Sequence, residues 1–135
     1  MSDTLQIKAL VNNLPSVLSF IDKKLEENGC PPRVICQIDT VAEEIFVNIA
    51  NYAYAPETGS MSVGIECSSK AAVLTFTDQG TAYDPFIRSD PDVTLSAKDR
   101  SIGGLGVFMV KKMTDEFSYR RENGSNILTI KKTFD

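Results

Sequence analysis

Three glycines within four positions, Gly103, Gly104 and Gly106, open directly into an apolar run in the stretch RSIGGLGVFMV. This pattern constrains the chain because it calls for a loop feeding straight into a helix, here Val107 to Met113. Glycine reaches positive φ and lets a ligand approach the backbone closely. The unpaired N–H groups and dipole at the start of the following helix favour an anion. Two uses of such a junction remain open on these residues alone: a loop that wraps a phosphate, or a plain helix start.

A chain of 135 residues fits one globular domain with a single core. The net charge of −4 and isoelectric point near 4.8 argue against a nucleic-acid interface, which needs clustered Lys and Arg. Lys111-Lys112, Arg120-Arg121 and Lys131-Lys132 are only pairs. No apolar run reaches the length of a membrane span, and the N-terminus lacks a basic-then-apolar signal pattern, so a cytoplasmic protein without membrane contact is expected. Cys30, Cys36 and Cys67 are odd in number and lack the spacing of a metal or disulfide framework, which predicts buried or free thiols. Histidine is absent, and with it go His-based triads, His metal sites and phosphohistidine chemistry on this chain.

The pattern along the chain is mixed, with no repeat. Leu5 to Leu10 reads as a first strand. Leu14 to Asn28 carries Leu14, Val17, Leu18, Ile21 and Leu25 at helical spacing, ended by Gly29 and Pro31-Pro32. A second helix is expected from Arg33 to Ala53, with a core stripe of Val34, Ile38, Val41, Ile45, Ile49 and Tyr52. Ser60 to Cys67 and Ala71 to Thr77 read as strands around a Ser68-Ser69-Lys70 turn. Residues 81 to 100 have no clear period and read as a long loop, the kind that in a compact domain is usually functional. A helix from Leu105 to Thr114 follows. Strands near Phe117 to Arg121 and Ile127 to Thr133 flank a Glu122-Asn123-Gly124 turn.

The second helix carries a polar line. Glu44 and Asn48 are four residues apart, so at about 100° per residue they lie roughly 40° apart around the axis, with Asn51 close to the same line. Val41, Ile45 and Val47 border it, which sets these polar groups into an apolar surface. A carboxylate plus an amide oxygen can hold a hard cation such as Mg²⁺, or the carboxylate can act as a general base. The alternative is a helix face bonded to nearby backbone or solvent. A third element, Thr77-Asp78-Gln79-Gly80, closes a strand. It reads either as a turn, with Asp bonding its own backbone and Gly at positive φ, or as an acceptor for the exocyclic amine of a base, with Gly80 giving the ring room.

In order and spacing these segments resemble the GHKL ATPases, through Glu44-Ile45-Phe46-Val47-Asn48, Asp78-Gln79-Gly80 and Gly104-Leu105-Gly106. The resemblance is closest to the bacterial anti-sigma factor serine/threonine kinases and runs from Leu5 to Lys132. It is carried by Glu44, Asn48 and Tyr54, by IGGLGVFMVKKMTDEFSY and by the terminal NGSNILTIKK.

This resemblance implies a single GHKL-type domain over residues 1–135, with the Bergerat fold. That fold is a two-layer α/β (α+β) sandwich of a mixed, mainly antiparallel sheet with three helices on one face. It implies ATP and Mg²⁺ as cofactors. Asn48 would coordinate the metal, and Glu44 would be the catalytic base acting on a serine or threonine hydroxyl. Asp78 would accept from adenine N6 beside Gly80, with Asn51 and Asn126 also at the nucleotide. The loop from Pro85 to Ser101 would be a lid. Gly103, Gly104, Leu105 and Gly106 would wrap the phosphates, with Arg100, in preference to Lys98, as the cation that reaches them. Phosphoryl transfer needs mainly positioning and charge neutralisation, for which that set is a sufficient outline.

The chain departs from relatives at Ile102, where some have Arg, at Asn126, where many have Thr, and at Tyr52, where some have His. The function the resemblance implies is an ATP-dependent serine/threonine protein kinase. Such a kinase binds a sigma factor, phosphorylates an anti-anti-sigma (STAS-type) antagonist and forms a homodimer. The alternative is a non-catalytic, ATP-gated interaction module of the same fold. The catalytic domain of a histidine kinase fits less well, for want of a histidine and of a preceding dimerisation helix pair.

Overall fold

The computed structural model describes residues 2–54, 58–82 and 110–135. Within them, strand β1 (Ser2–Lys8) leads through a short 3₁₀ turn (Val11–Asn13) into helix α1 (Leu14–Glu27). Helix α2 (Pro32–Asn48) follows and runs on through one wider, π-type turn (Ile49–Ala53). Strands β2 (Ser60–Cys67), β3 (Ala71–Asp78), β4 (Glu116–Glu122) and β5 (Ser125–Thr133) complete the elements, and residues 110–113 are helical.

The strands form one sheet in the order β1-β2-β3-β5-β4. All four pairings among the described residues are antiparallel, so the sheet expected as mainly antiparallel is wholly so here. Its burial alternates with the period of two that a half-covered sheet requires. Met61, Val63 and Ile65 of β2, Leu74 and Phe76 of β3, and Leu128 and Ile130 of β5 are buried. They join one core with Val17, Ile21 and Leu25 of α1 and Val34, Ile38, Val41, Ala42, Ile45 and Phe46 of α2. Val110 adds a contact from the third helical segment.

Both helices follow their apolar stripes. Leu14 and Leu18 are only partly buried at the edge of the α1 stripe. Gly29, at φ +77°, ends α1 in the left-handed region that glycine enters without strain. The first strand begins and ends earlier than its own apolar pattern suggests. β1 pairs with β2 along its whole length, from Ser2 opposite Glu66 to Lys8 opposite Ser60, so the partner strand sets its ends. Leu10 is left exposed at the start of the 3₁₀ turn. The final hairpin closes on two residues, Asn123 at φ +50° and Gly124 at φ +79°, the backbone of a type I′ turn. That tight closure brings Ser125 and Asn126 into β5, two residues before the expected strand start. All three cysteines are free thiols, with Cys30 buried and Cys36 exposed.

Between α1 and α2 lies a groove of about 530 Å³ lined in part by Leu18, Glu26, Cys30, Ile35, Asp39 and Glu43. Inside the helix pair, Asp39 meets Asp22. Burial first, then the Asp22 carboxyl and Glu26, push the Asp39 carboxyl up to about 8. The native state therefore holds a proton that the unfolded chain releases near the ordinary aspartate value. Stability from this pair is complete at low pH and is lost as pH rises from about 4 to about 8. Asp39→Asn is expected to flatten that dependence and to exceed the parent at pH 8 by about 1 kcal/mol, after allowing for solvent screening of a half-exposed group. Thermal melts of both proteins at pH 5 and pH 8 check it.

Candidate active site

The site begins where the core rows of the sheet end. On β3 the helix-facing row runs Leu74, Phe76, Asp78, and on β5 it runs Ile130, Leu128, Asn126, each step two residues along its strand. The strands are in register with Leu74 opposite Ile130, Phe76 opposite Leu128 and Asp78 opposite Asn126. Two apolar pairs thus give way to one polar pair at the same depth. Asp78 is 2% exposed and Asn126 3%, and they are the two buried polar residues among those described.

Buried polar groups demand partners, and these have them. Asp78 Oδ1 accepts from the Gly80 backbone N–H at 2.8 Å and from Asn126 Nδ2 at 3.0 Å. Asn126 Nδ2 also donates to the Thr81 carbonyl at 2.8 Å. The bond from Gly80 is the Asp turn anticipated as one reading of this segment. The glycine, however, is not at positive φ. Its reason is space: a Cβ there would lie 2.2 Å from the Ala53 carbonyl oxygen.

Ala53 closes the π-type turn that continues α2, and its carbonyl accepts from Thr81 N–H at 2.9 Å. The helix bearing the polar line therefore ends against the strand end bearing Asp78. Glu44 and Asn48 are both half-buried on α2, and Asn48 is its last residue. Asn51, in the π-type turn, is exposed. Val41 and Ile45 beside the line are buried. Burial raises the Glu44 carboxyl above the usual range and neighbouring Glu43 adds to it, the direction that suits a general base.

Tyr54 fastens the same corner. Its hydroxyl donates to the Ser60 carbonyl at 2.6 Å and accepts from Gln79 N–H at 2.8 Å, next to Asp78. Two residues of β4 to which the sequence assigns no individual task, Tyr119 at the end of the stretch IGGLGVFMVKKMTDEFSY and Arg121 in a pair of cations, also converge here. Tyr119 Oη donates to Asn126 Oδ1 at 2.5 Å. Arg121 Nη1 donates to that oxygen at 3.1 Å and to the Gly80 carbonyl at 2.7 Å. The signal for them lay in their i, i+2 spacing and in the Asn123-Gly124 turn, which sets Arg121 opposite Asn126.

The structure thus joins Asp78, Gly80 and Asn126 and brings the end of the Glu44–Asn48 helix onto them. Arg100, Gly103, Gly104, Leu105, Gly106 and the lid expected over 85–101 lie outside the described residues. Among the described residues, no group of three His, Cys, Asp or Glu side chains is arranged to hold a metal. Mg²⁺ at an ATPase commonly takes one or two protein ligands and completes its shell with phosphates and water. The amide oxygen of Asn48, on a half-buried helix end, fits such a ligand.

Residues 7–132 match the family described as histidine kinase-like ATPase domain. The serine/threonine-protein kinase BtrW of Bordetella bronchiseptica is 24% identical over 130 residues, spanning 96% of this chain and 92% of that protein. The histidine kinase AdeS of Acinetobacter baumannii superimposes with a TM-score of 0.50 at 15% identity, over 98% of this chain and 68% of the other, which supports the fold. No helix among the described residues is long and apolar enough to cross a membrane.

Proposed function

From the premise that the chain belongs to the histidine kinase-like ATPase domain family, we propose that it is an ATP-dependent serine/threonine protein kinase. On this reading it acts as an anti-sigma regulatory factor, binds a sigma factor, phosphorylates an anti-anti-sigma antagonist, and works as a cytoplasmic homodimer. The observation that carries the nucleotide part is the buried Asp78–Asn126 pair that ends the core rows, with Asp78 bonded to the Gly80 N–H where that glycine packs on Ala53. Support for the kinase part comes from Glu44 on the adjoining helix and from the near full-length similarity to BtrW. The regulatory partners rest on the resemblance of the sequence motifs.

Each described residue then has a task. Asp78 accepts from the exocyclic amine of adenine, and Gly80 leaves room for the ring. Asn48 holds Mg²⁺, which when bound neutralises phosphate charge. Glu44, ionised, takes the proton of the substrate hydroxyl as the hydroxyl oxygen bonds to the γ-phosphorus and the bond from that phosphorus to the β,γ-bridging oxygen breaks, its electron pair leaving on ADP. Pairing and aligning these groups is most of what phosphoryl transfer asks of a protein.

Asp78→Asn tests the base pocket without dismantling it. The amide oxygen can still accept from Gly80 N–H and Asn126, while its NH₂ faces the base amine donor to donor. ATP affinity is expected to fall about 100-fold at an unchanged melting temperature, since a lost charged hydrogen bond and an unpaired buried donor act together. Titration calorimetry measures it, and unchanged affinity would sink the assignment. For the transfer step, γ-labelled ATP is offered with a candidate STAS-type antagonist. Acid-stable, alkali-labile label on that antagonist supports the kinase reading. ATP binding without transfer would instead leave an ATP-gated interaction module.

A further inference from the structure

The hydrogen bonds around Asn126 have a direction. Arg121 is a donor only, so the atom it meets must be the amide oxygen. It donates through Nη1 to Asn126 Oδ1 at 3.1 Å, and Tyr119 Oη donates to the same oxygen at 2.5 Å. The amide nitrogen is thereby turned the other way, where it donates to Asp78 Oδ1 at 3.0 Å and to the Thr81 carbonyl at 2.8 Å. Asp78 Oδ1 also takes the Gly80 N–H. One side-chain relay thus runs from Tyr119 and Arg121 of β4 to Asn126 Oδ1, and from Asn126 Nδ2 to the accepting oxygen of Asp78.

We infer that Tyr119 and Arg121 are positioning residues that set base specificity, by fixing the Asn126 amide so that Asp78 is held as an acceptor for a 6-amino purine. The inference rests on reading this as an adenine-nucleotide site. A 6-amino purine presents a donor at that edge and a 6-oxo purine presents an acceptor. Were the amide reversed, its oxygen would face the Asp78 carboxylate acceptor to acceptor, Asp78 would lose the side-chain donor that holds it, and the acceptor would no longer be fixed at the base edge. The preference for the 6-amino over the 6-oxo base would then weaken.

Arg121 adds a second bond, to the Gly80 carbonyl at 2.7 Å, so one guanidinium ties the amide to the backbone beside the base. Both bonds leave the one nitrogen Nη1, so Lys, whose ammonium carries several donors but lacks the guanidinium plane and its reach, reproduces part of that pairing. Because Arg121 is exposed and Tyr119 only half-buried on β4, both positions can be changed without opening the core.

The experiment measures the dissociation constants of Mg·ATP and Mg·GTP by calorimetry. It uses the full chain, Tyr119→Phe, Arg121→Met, Arg121→Lys and the Tyr119→Phe/Arg121→Met double variant, each checked by its thermal melt. The ratio of the GTP constant to the ATP constant is expected to drop at least tenfold in the double variant. Smaller drops are expected in the single ones, with Arg121→Lys retaining part of the preference. Should the double variant fail to fold, the single variants carry the test. An unchanged ratio, with or without a parallel loss of both affinities, would assign these residues a merely structural role and overturn the inference. Parent protein that binds neither nucleotide would overturn the adenine reading itself, and this inference with it.

Discussion

Replacing Glu44 by Gln is expected to slow phosphoryl transfer to a protein hydroxyl by about 10² to 10⁴-fold, the usual worth of a positioned general base. Affinity for Mg·ATP is expected to stay within about twofold of the parent, because the change is isosteric and removes a proton acceptor without removing a nucleotide contact. The Glu44 carboxyl is raised by burial and by Glu43, so its proton leaves at a higher pH than an ordinary glutamate's. The parent's transfer rate should therefore climb with pH through a window shifted upward from the usual carboxylate range and then level off. Glu44→Gln should show no such rise. Single-turnover transfer from labelled ATP across pH 5 to 8 gives both results. Equal rates in the two proteins would remove Glu44 from the chemistry.

Gly80→Ala is expected to damage fold and site together. The added methyl would lie 2.2 Å from the carbonyl oxygen of Ala53, 2.6 Å from its carbonyl carbon and 2.7 Å from its Cβ. Two of these atoms are backbone, held in place by the bond from Thr81 N–H, so no flexible side chain can move aside. Relief requires the π-type turn and the strand end to separate, which also strains the Gly80 N–H bond to Asp78. A cost of about 3 kcal/mol follows from forcing extra volume into a packed site, or about 10 °C in melting temperature for a domain of this size. Nucleotide affinity should be lost with it. A melt within a degree or two of the parent would show that the contact yields easily.

Much of this was legible in the residues because it is local. The helical stripes of α1 and α2 emerged from spacing alone, since a core-facing helix must repeat its apolar residues every three to four positions. Asp78 and Gly80 could be singled out at the end of a β-branched run. What escaped was relational. The widened turn at Ile49–Ala53 keeps the apolar periodicity of the helix before it, so nothing in the pattern marks the change. The closing of that turn on Gly80 joins residues 27 positions apart. Tyr119, although it ends a stretch that carries the resemblance, and Arg121 have no individual task in the sequence, because their meaning depends on the register that places Arg121 across from Asn126. Asn126 was marked by resemblance as a contact for the nucleotide. Its place in the row after Ile130 and Leu128 explains why it is buried and why it bonds Asp78.

The same contrast separates the groove between α1 and α2 from the corner around Asp78. The groove between α1 and α2 is lined by apolar side chains and carboxylates, with no Lys or Arg among its lining residues, and so offers nothing to a triphosphate. The Asp78 corner offers a directed acceptor, a cleared backbone and a helix carrying Glu44 and Asn48. Chemical-shift mapping decides between them most directly. Adding Mg·ATP to the ¹⁵N-labelled protein should move the backbone amide of Gly80 and the side-chain amide of Asn126 in a saturable way, while signals from Cys36 and Thr40 stay in place. Shifts confined to the α1–α2 groove, or no saturable shift at Gly80 and Asn126, would contradict the account.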